Sequence, residues 1–297
     1  MFRFLRCHTK TLYQNVVVEF LDGSKNTFIV NARVKGSDLI VEVCRYLHLK
    51  ETEYFGLQRV DSKTGKMHWI NEFRSIRSQV SDDQLLYLKI RFYPPALNSI
   101  LDDQETIQQF YLQSLLNVVR GDFKVPSSSI CLATSYIAQA QLGDHDETQS
   151  YAELLQNAEL TPELTLKIKD LHQSIKGTPK DICQIRFLEM LLSCPLFGVK
   201  LHKAVNDKNE DCYIGINSKA EFLLVMSDLI ILRFPEWPKI KLQCKFPINR
   251  FRKQTSELDV LLQYEHDKFI TSHSIVDDLV DQYKFCVSRS ALMAPFR

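Results

Sequence analysis

Residues 85–95, LLYLKIRFYPP, and residues 102–146, DDQETIQQFYLQSLLNVVRGDFKVPSSSICLATSYIAQAQLGDHD, decide the fold of this 297-residue chain. Apolar and polar residues alternate through the first segment, as is typical of a half-buried strand. The alternating apolar positions are Leu86, Leu88, Ile90 and Phe92. Pro94 and Pro95 end the strand because proline has no N–H to donate to a ladder and restricts the residue before it.

The second segment predicts two neighbouring helices. Apolar residues recur in it at i, i+3 and i+4 spacing, so the first helix has one apolar face. These residues are Ile107, Phe110, Tyr111, Leu115, Val118 and Val119. Gly121 stands where a left-handed C-terminal residue belongs, and Gly143 ends the second helix. A short connection between two helices favours packing of one against the other.

The pattern on either side of these segments divides the chain into three predicted domains. Residues 14–93 combine short strands with one helix, residues 96–193 have helical periodicity only, and residues 196–297 return to strand periodicity. The last part contains seven predicted short strands and a final helix over residues 275–292. This pattern is typical of a pleckstrin-homology or phosphotyrosine-binding type of sandwich.

Composition is that of an ordinary soluble protein, with 45% hydrophobic and 25% charged residues. No apolar run reaches the ~20 residues that span a bilayer, and the first ten residues, MFRFLRCHTK, lack the apolar core of a signal peptide. Residues 1–93 carry 15 Lys/Arg against 10 Asp/Glu, a net charge of +5, whereas residues 94–190 carry 7 against 13. This unevenness can steer partners, but it is not the footprint of a nucleic-acid-binding protein.

Few residues of the chain indicate a catalytic, cofactor-binding or metal-binding site. The eight cysteines include no CxxC pair, which favours reduced intracellular thiols over a zinc site or a disulfide framework. Motifs of serine hydrolases, zinc proteases and nucleotide-binding loops are missing. Cys194 and His202 could form a nucleophile–base pair, but His202 is better explained as part of a strand. We therefore predict no catalytic activity, no cofactor and no metal.

Paired carboxylates in the helical part have structural explanations. Asp102 and Asp103 precede a predicted helix, where an acidic side chain can cap free N–H groups. Asp144 and Asp146 follow the second predicted helix, and we expect them to hold the loop that leaves it.

Several segments resemble the FERM module of band 4.1, ezrin, radixin, moesin and related membrane–cytoskeleton proteins. They occur in the family's order and extend over nearly the whole chain. The segments are 54–61 (YFGLQRVD), 88–94 (LKIRFYP), 104–106 (QET), 110–113 (FYLQ), 133–144 (ATSYIAQAQLGD), 197–202 (FGVKLH) and 294–297 (APFR).

The resemblance implies a multi-domain α+β fold, the three-lobed FERM cloverleaf. Its lobes are a ubiquitin-like β-grasp, an all-α bundle similar to acyl-CoA-binding protein, and a β-sandwich with a C-terminal helix. It also implies a non-catalytic adaptor in the cytoplasm, at the inner face of the plasma membrane. Such an adaptor binds cytoplasmic tails of transmembrane proteins and cytoskeletal or scaffold proteins. The alternative is a substrate-recognition or regulatory module of a larger enzyme, such as a RING ubiquitin ligase or a FERM-type tyrosine phosphatase.

Two binding sites are predicted within this framework. In such sandwiches an extended peptide can add a strand beside the C-terminal helix, using main-chain hydrogen bonds and side-chain pockets. One wall of that groove is predicted at Ile240, Leu242 and Cys244. The other wall is predicted on the final helix, at Val276, Val280 and Tyr283.

The second predicted site binds acidic phospholipid. Ezrin-like relatives hold a phosphoinositide headgroup in a basic cleft, and one cleft residue corresponds to Arg74, with Arg77 nearby. The matching segment near the final helix, residues 274–278 (SIVDD), is acidic instead, so a separate basic cluster is the better candidate for contact with an anionic leaflet. Its members are Lys239, Lys241, Lys245, Arg250, Arg252 and Lys253.

Overall fold

The computed structural model describes two compact units of the chain. One unit contains Met1–Arg91 and Ala96–Leu191, and the other contains Phe92–Pro95 and Leu192–Arg297. The described residues are 13–31, 33–63, 65–97, 103–151, 154, 161–205, 210–219, 222–226, 231–234, 239–243, 259–265, 268–272, 281–282 and 285. The predicted division into domains at 14–93, 96–193 and 196–297 stays a prediction.

The first unit begins with a five-stranded sheet and one helix. Its elements are β1 (Tyr13–Glu19), β2 (Lys25–Asn31), α1 (Gly36–Tyr46), β3 (Phe55–Val60), β4 (Met67–Trp69) and β5 (Leu85–Ile90). The strand order is β2-β1-β5-β3-β4. β1 and β5 are parallel, and the other pairs are antiparallel. This is the ubiquitin-like roll that the family resemblance implied.

β5 is the central strand of the sheet, and its alternation of apolar and polar residues is suited to that position. Its residues are half-buried and buried in turn, so every second side chain lies in the core. The buried side chains of the strand are Leu86, Leu88 and Ile90. Val16 and Val18 of β1 and Leu39 and Val43 of α1 are also fully buried, and α1 therefore closes this face of the sheet.

Four helices complete the first unit: α2 (Gln104–Arg120), α3 (Ile130–Leu142), α4 (Pro162–Ser174) and α5 (Lys180–Leu192). The predicted ends of the first two are confirmed, since Gly121 in the left-handed conformation follows α2 and Gly143 follows α3. Asp103 is the N-cap residue of α2, but its side chain makes no capping hydrogen bond to the helix backbone. Its carboxylate instead accepts hydrogen bonds from the Thr106 hydroxyl, at 2.5 Å, and from the backbone N–H of Lys50, at 3.0 Å.

The sheet and the helices of this unit are joined through an aromatic contact. The ring of Phe110 on α2 meets Tyr54 edge-on at 5.4 Å between centroids and lies 6.3 Å from Phe55. All three side chains are at most 2% exposed. The Asp103 carboxylate, about two turns before Phe110, bonds to the backbone N–H of Lys50, a few residues before Tyr54.

The second unit contains one seven-stranded antiparallel sheet in its described part. Its strands are β6 (His202–Val205), β7 (Asp211–Ile216), β8 (Phe222–Met226), β9 (Ile231–Phe234), β10 (Lys239–Gln243), β11 (Asp259–Glu265) and β12 (Lys268–Ser272). The order is β10-β11-β12-β6-β7-β8-β9, so the chain crosses from one end of the sheet to the other between β9 and β10. The strand count is the one that the sequence predicted for a pleckstrin-homology type of domain.

Phe92–Pro95, which follow β5, belong to the second unit. The Phe92 ring stacks on Phe285 at 4.3 Å between centroids, and Tyr93 meets Phe197 edge-on at 5.0 Å. Of the predicted final helix over residues 275–292, the structure describes Asp281, Gln282 and Phe285, all of them helical. Within the described residues, no helix combines the length and apolar character needed to cross a membrane.

We predict that Phe110→Ala lowers the free energy of unfolding by about 3–5 kcal/mol, because it removes a buried ring that joins α2 to the sheet. Urea denaturation followed by circular dichroism measures the loss. Leu166→Ala on α4 is the matched control, since Leu166 is 62% exposed and its truncation should change stability by less than about 0.5 kcal/mol. Equal losses in the two variants would contradict the packing described for Phe110.

Candidate functional site

β10 provides an open strand edge. It pairs with β11 in antiparallel register, with Ile240 opposite Leu262 and Leu242 opposite Val260. It stands at the end of the sheet order, and among the described strands it has no second neighbour. Backbone N–H and C=O groups on one side of β10 therefore have no described strand to pair with, and such an edge can accept an added strand.

The structure describes part of the predicted peptide groove. Ile240 and Leu242 lie two residues apart on β10, in the strand that forms the open edge. The remaining predicted groove residues, Cys244, Val276, Val280 and Tyr283, lie outside the described residues. The groove as a whole stays a prediction, and the observed part of it is the strand edge.

The predicted lipid-binding residues fall in two places. Arg74 and Arg77 are exposed in the segment that connects β4 to β5. Lys239 and Lys241 alternate with the predicted groove residues on β10. The other members of the predicted basic cluster, Lys245, Arg250, Arg252 and Lys253, lie outside the described residues. The lipid site also stays a prediction.

The structure gives little support to Cys194 and His202 as a nucleophile–base pair. His202 is 5% exposed and belongs to β6, where it pairs in register with Ile214. Burial raises the pKa of the Cys194 thiol, so the thiol stays protonated at neutral pH, and a protonated thiol is a poor nucleophile. In the part of the chain that is described, no group of three or more His, Cys, Asp or Glu side chains could hold a metal ion.

A buried polar cluster that the sequence did not predict lies where α3 connects to α4. The Tyr151 hydroxyl is 2.8 Å from Nδ1 of His145 and 3.0 Å from Nδ1 of His172. Nε2 of His172 is 2.9 Å from the carbonyl oxygen of Gly143. His172 is fully buried and Tyr151 is 2% exposed.

The partners of the cluster determine where its protons are. The Gly143 carbonyl can only accept, so Nε2 of His172 carries a hydrogen, and Nδ1 of the neutral ring accepts from the Tyr151 hydroxyl. The Tyr151 oxygen then accepts from Nδ1–H of His145. Burial lowers the pKa of His172, with the neighbouring His145 acting in the same direction. Every polar atom in this chain of bonds is satisfied when His172 is neutral.

The carboxylates after α3 act as the sequence predicted. Oδ1 of Asp144 accepts from Nε2 of Gln139, at 2.8 Å, and from the backbone N–H of Gly177, at 2.7 Å. These bonds lower the pKa of Asp144, the Gly177 bond most strongly. Asp146 accepts from the backbone N–H of Thr148 at 2.8 Å. The cluster and the carboxylates together fasten the loop between α3 and α4, which is a structural role.

A five-stranded roll with one helix, a set of helices and a seven-stranded antiparallel sheet with an open edge define a multi-domain α+β class of protein. The FERM N-terminal domain matches residues 18–82, and the FERM central domain matches residues 96–202. The chain belongs to the FERM family.

Curated relatives and solved structures agree with this assignment. The chain is 33% identical to mouse protein 4.1 over 231 residues, which are 75% of this chain and 26% of that protein. It is 29% identical to human band 4.1-like protein 3 over 79% of this chain and 22% of that protein. It is 27% identical to human tyrosine-protein phosphatase non-receptor type 4 over 85% of this chain and 28% of that protein.

The similar solved structures share the fold at low sequence identity. The crystal structure of the FERM and C-terminal domain complex of Drosophila Merlin matches with a TM-score of 0.75 at 21% identity, covering 94% of this chain and 98% of that chain. The human myosin 7b MyTH4-FERM domain, solved in complex with the harmonin-a PDZ3 domain, matches with a TM-score of 0.68 at 15% identity, covering 95% of this chain and 61% of that chain. The chain spans about a quarter of the length of the curated relatives.

We predict that the buried His172 makes the protein less stable in acid. The pKa of His172 in the folded state lies below its usual value of 6.5. Above pH 6.5 the ring is neutral in both states, whereas below it the unfolded chain binds the extra proton, so stability falls as the pH drops toward the folded pKa. Urea denaturation between pH 7.5 and 5.5 measures this loss, which should be smaller in His172→Gln than in the wild type.

His68→Gln is the matched control, because His68 is exposed on β4. We expect it to follow the wild-type dependence on pH. Parallel curves for the wild type and His172→Gln would show that His172 does not titrate differently in the folded and unfolded states.

Proposed function

We propose that this FERM chain is a non-catalytic adaptor that binds extended segments from the cytoplasmic tails of transmembrane proteins. The observation that carries the proposal is the position of β10 at the end of the seven-stranded sheet, with β11 as its one described partner. The relatedness to protein 4.1 and band 4.1-like protein 3 supports an adaptor role over a catalytic one.

The binding mechanism is strand addition. A tail peptide in extended conformation aligns with β10 and exchanges backbone hydrogen bonds with it, and alternate side chains of the peptide enter the groove. We place one wall of this groove at Ile240, Leu242 and Cys244 and the other at Val276, Val280 and Tyr283, of which the structure describes Ile240 and Leu242. Main-chain bonds supply affinity for any extended segment, while the two walls select the sequence.

The adaptor works at the inner face of the plasma membrane. It would bind a tail through the last of three proposed lobes, at residues 196–297, and so place that tail beside cytoskeletal or scaffold proteins. No step in this mechanism needs a reactive group or a cofactor. The raised pKa of the Cys194 thiol argues against a thiolate nucleophile at that residue.

A second candidate function is regulation of a larger enzyme. The match to human tyrosine-protein phosphatase non-receptor type 4 covers 85% of this chain and 28% of that protein, which favours a module linked to a catalytic domain. The same strand edge would then bind the substrate of that enzyme or a segment of the enzyme itself. The full natural polypeptide separates the two functions: a RING or phosphatase sequence beyond Arg297 would support the second.

Acidic phospholipid is the proposed second ligand. Lys239 and Lys241 on β10, together with Lys245, Arg250, Arg252 and Lys253, would contact an anionic leaflet at about 1 kcal/mol for each charge near the surface. Arg74 and Arg77 form a separate pair of exposed cations in the first unit.

We predict that strand addition can be blocked from the backbone alone. Successive residues of an edge strand direct their N–H groups alternately toward the neighbouring strand and away from it. Of Ile240→Pro and Lys241→Pro, one therefore removes a bond to β11 and lowers the Tm, and the other removes only an outward N–H and keeps it. The variant that keeps the wild-type Tm should lose at least tenfold in affinity for tail peptides, measured by fluorescence polarisation.

Two controls belong to this experiment. On β9, at the opposite end of the sheet, whichever of Leu232→Pro and Arg233→Pro preserves the Tm should also preserve peptide affinity. A tail peptide N-methylated at one alternate set of its residues should lose binding, while methylation of the other set should be tolerated. Full binding by the stable β10 proline variant would remove the strand-addition site.

We predict that reversing charge in the basic cluster weakens membrane binding. The double variant Arg250→Glu plus Arg252→Glu should reduce sedimentation with phosphoinositide-containing liposomes, because two attractive charges become repulsive. Lys167→Glu plus Lys169→Glu on α4 is the matched control and should sediment like the wild type. If the two double variants sediment equally with the liposomes, the cluster does not contact lipid.

A further inference from the structure

The segment between β4 and β5 presents an aromatic ring to solvent. Phe73 is 84% exposed, more than any other large apolar side chain in the described part of the chain. Burying a phenylalanine side chain is worth about 1.5–3 kcal/mol, which the fold gives up at this position. Neither the sequence patterns nor the family resemblance drew attention to this residue.

The backbone on both sides of Phe73 is fixed by the N-terminus of α1. The backbone N–H of Ser37 donates to the Glu72 carbonyl at 3.0 Å, and that of Gly36 donates to the Arg74 carbonyl at 3.0 Å. The first N–H groups of a helix have no partner within the helix, so these carbonyls supply what the helix needs. Phe73 therefore lies between two fixed points of the backbone, and its ring is exposed there.

Further bonds fix the same segment. Nε2 of Gln79 donates to the Asn71 carbonyl at 2.9 Å, and Oε1 of Gln79 accepts from the Asn71 backbone N–H at 2.7 Å. The Asn71 side chain in turn accepts from the backbone N–H of Phe73 at 2.9 Å. A Cβ atom on Gly36 would lie 2.5 Å from the Asn71 carbonyl oxygen, so only glycine allows this approach. The exposure of Phe73 thus belongs to a braced segment and is not the result of a loose loop.

Three cationic residues lie near Phe73 along the backbone. Arg74 and Arg77 follow Phe73 in the chain, and a β-bridge to Ser75 brings Lys35 beside them. All three cationic residues are exposed. The carboxylate next to the ring, Glu72, is already engaged by Arg91 at 2.6 Å.

We propose that Phe73, Lys35, Arg74 and Arg77 form a membrane-docking surface, in which the Phe73 ring inserts into an anionic bilayer and the three cations contact headgroups. A projecting ring needs a receptor that yields to it, and a bilayer interface accepts such a ring without a shaped pocket. Lysine and arginine side chains reach outward to phosphate while an apolar group enters the acyl boundary. This surface rests on the proposed binding of acidic phospholipid and deepens it. It lies in the first unit and does not depend on tail binding at β10.

Vesicle partitioning of the full chain tests this proposal. Vesicles of 30% phosphatidylserine in phosphatidylcholine should bind the chain, and vesicles of phosphatidylcholine alone should bind it weakly. Phe73→Ser should lower the partition coefficient at least about tenfold. Arg74→Gln should lower it about fivefold, and that effect should shrink at high salt.

Matched controls separate the surface from general apolar and basic character. Ile29→Ser removes another exposed apolar side chain, 69% exposed on β2, and should bind as the wild type does. Lys169→Gln removes a cation from α4 and should also have no effect. The tail-peptide affinity of Phe73→Ser should equal that of the wild type, so a failure of this proposal is distinguishable from a failure of tail binding.

A second readout reports insertion directly. Phe73→Trp should show a blue shift of the added emission with anionic vesicles, and quenching by brominated acyl chains, relative to the wild type with its two tryptophans. The proposal is overturned if the chain does not bind anionic vesicles, or if Phe73→Ser binds them as the wild type does. Loss of binding in Arg74→Gln but not in Phe73→Ser would mean headgroup contact without insertion, and loss of a protein partner alone in Phe73→Ser would assign the surface to protein binding.

Discussion

Backbone N–H and C=O groups must be paired when they leave water, and this constraint accounts for the main features of the structure. Inside the five-stranded sheet β5 meets it by pairing with β1 on one side and β3 on the other. At the N-terminus of α1 the free N–H groups are paired with Glu72 and Arg74 carbonyls. Asp144 accepts from the Gly177 N–H in the turn after α4, and His172 of α4 bonds to the Gly143 carbonyl that follows α3. Among the described strands, only those at the ends of the sheets have an unpaired side. One of these strands, β10, is the proposed peptide-binding strand.

The two proposed surfaces use this constraint in opposite ways. At β10 the backbone itself is the binding element, because a peptide can complete the bonds that the sheet leaves open. At Phe73 the carbonyls of the two flanking residues, Glu72 and Arg74, are bonded to the N-terminus of α1, and the exposed side chain is the proposed binding element. A peptide site and a membrane site on separate units suit an adaptor, which must hold a tail and remain at the bilayer.

The histidine–tyrosine cluster shows how titratable groups can be structural. His172 and Tyr151 are buried and hydrogen-bonded, an arrangement that also occurs in catalytic sites. Here the bonds run to His145 and to the Gly143 carbonyl, and they connect two helices through the loop between them. The cost of placing an imidazole in this interior appears as a lowered pKa, which couples the stability of the loop to pH.

The sequence by itself determined the fold class, the C-terminal ends of α2 and α3, the roles of Asp144 and Asp146 and the family, because periodicity, glycine placement and local motifs are properties of neighbouring residues. It also located Ile240 and Leu242 in a strand. Only the tertiary structure decided that this strand stands at the end of its sheet, that Tyr54 and Phe55 meet Phe110, and that His145, Tyr151 and His172 join. It alone revealed the exposure of Phe73, which depends on carbonyls bonded to a helix some thirty-five residues earlier in the chain. These features result from contacts between distant residues, and the neighbours that a strand acquires in its sheet leave no periodic signal in the sequence.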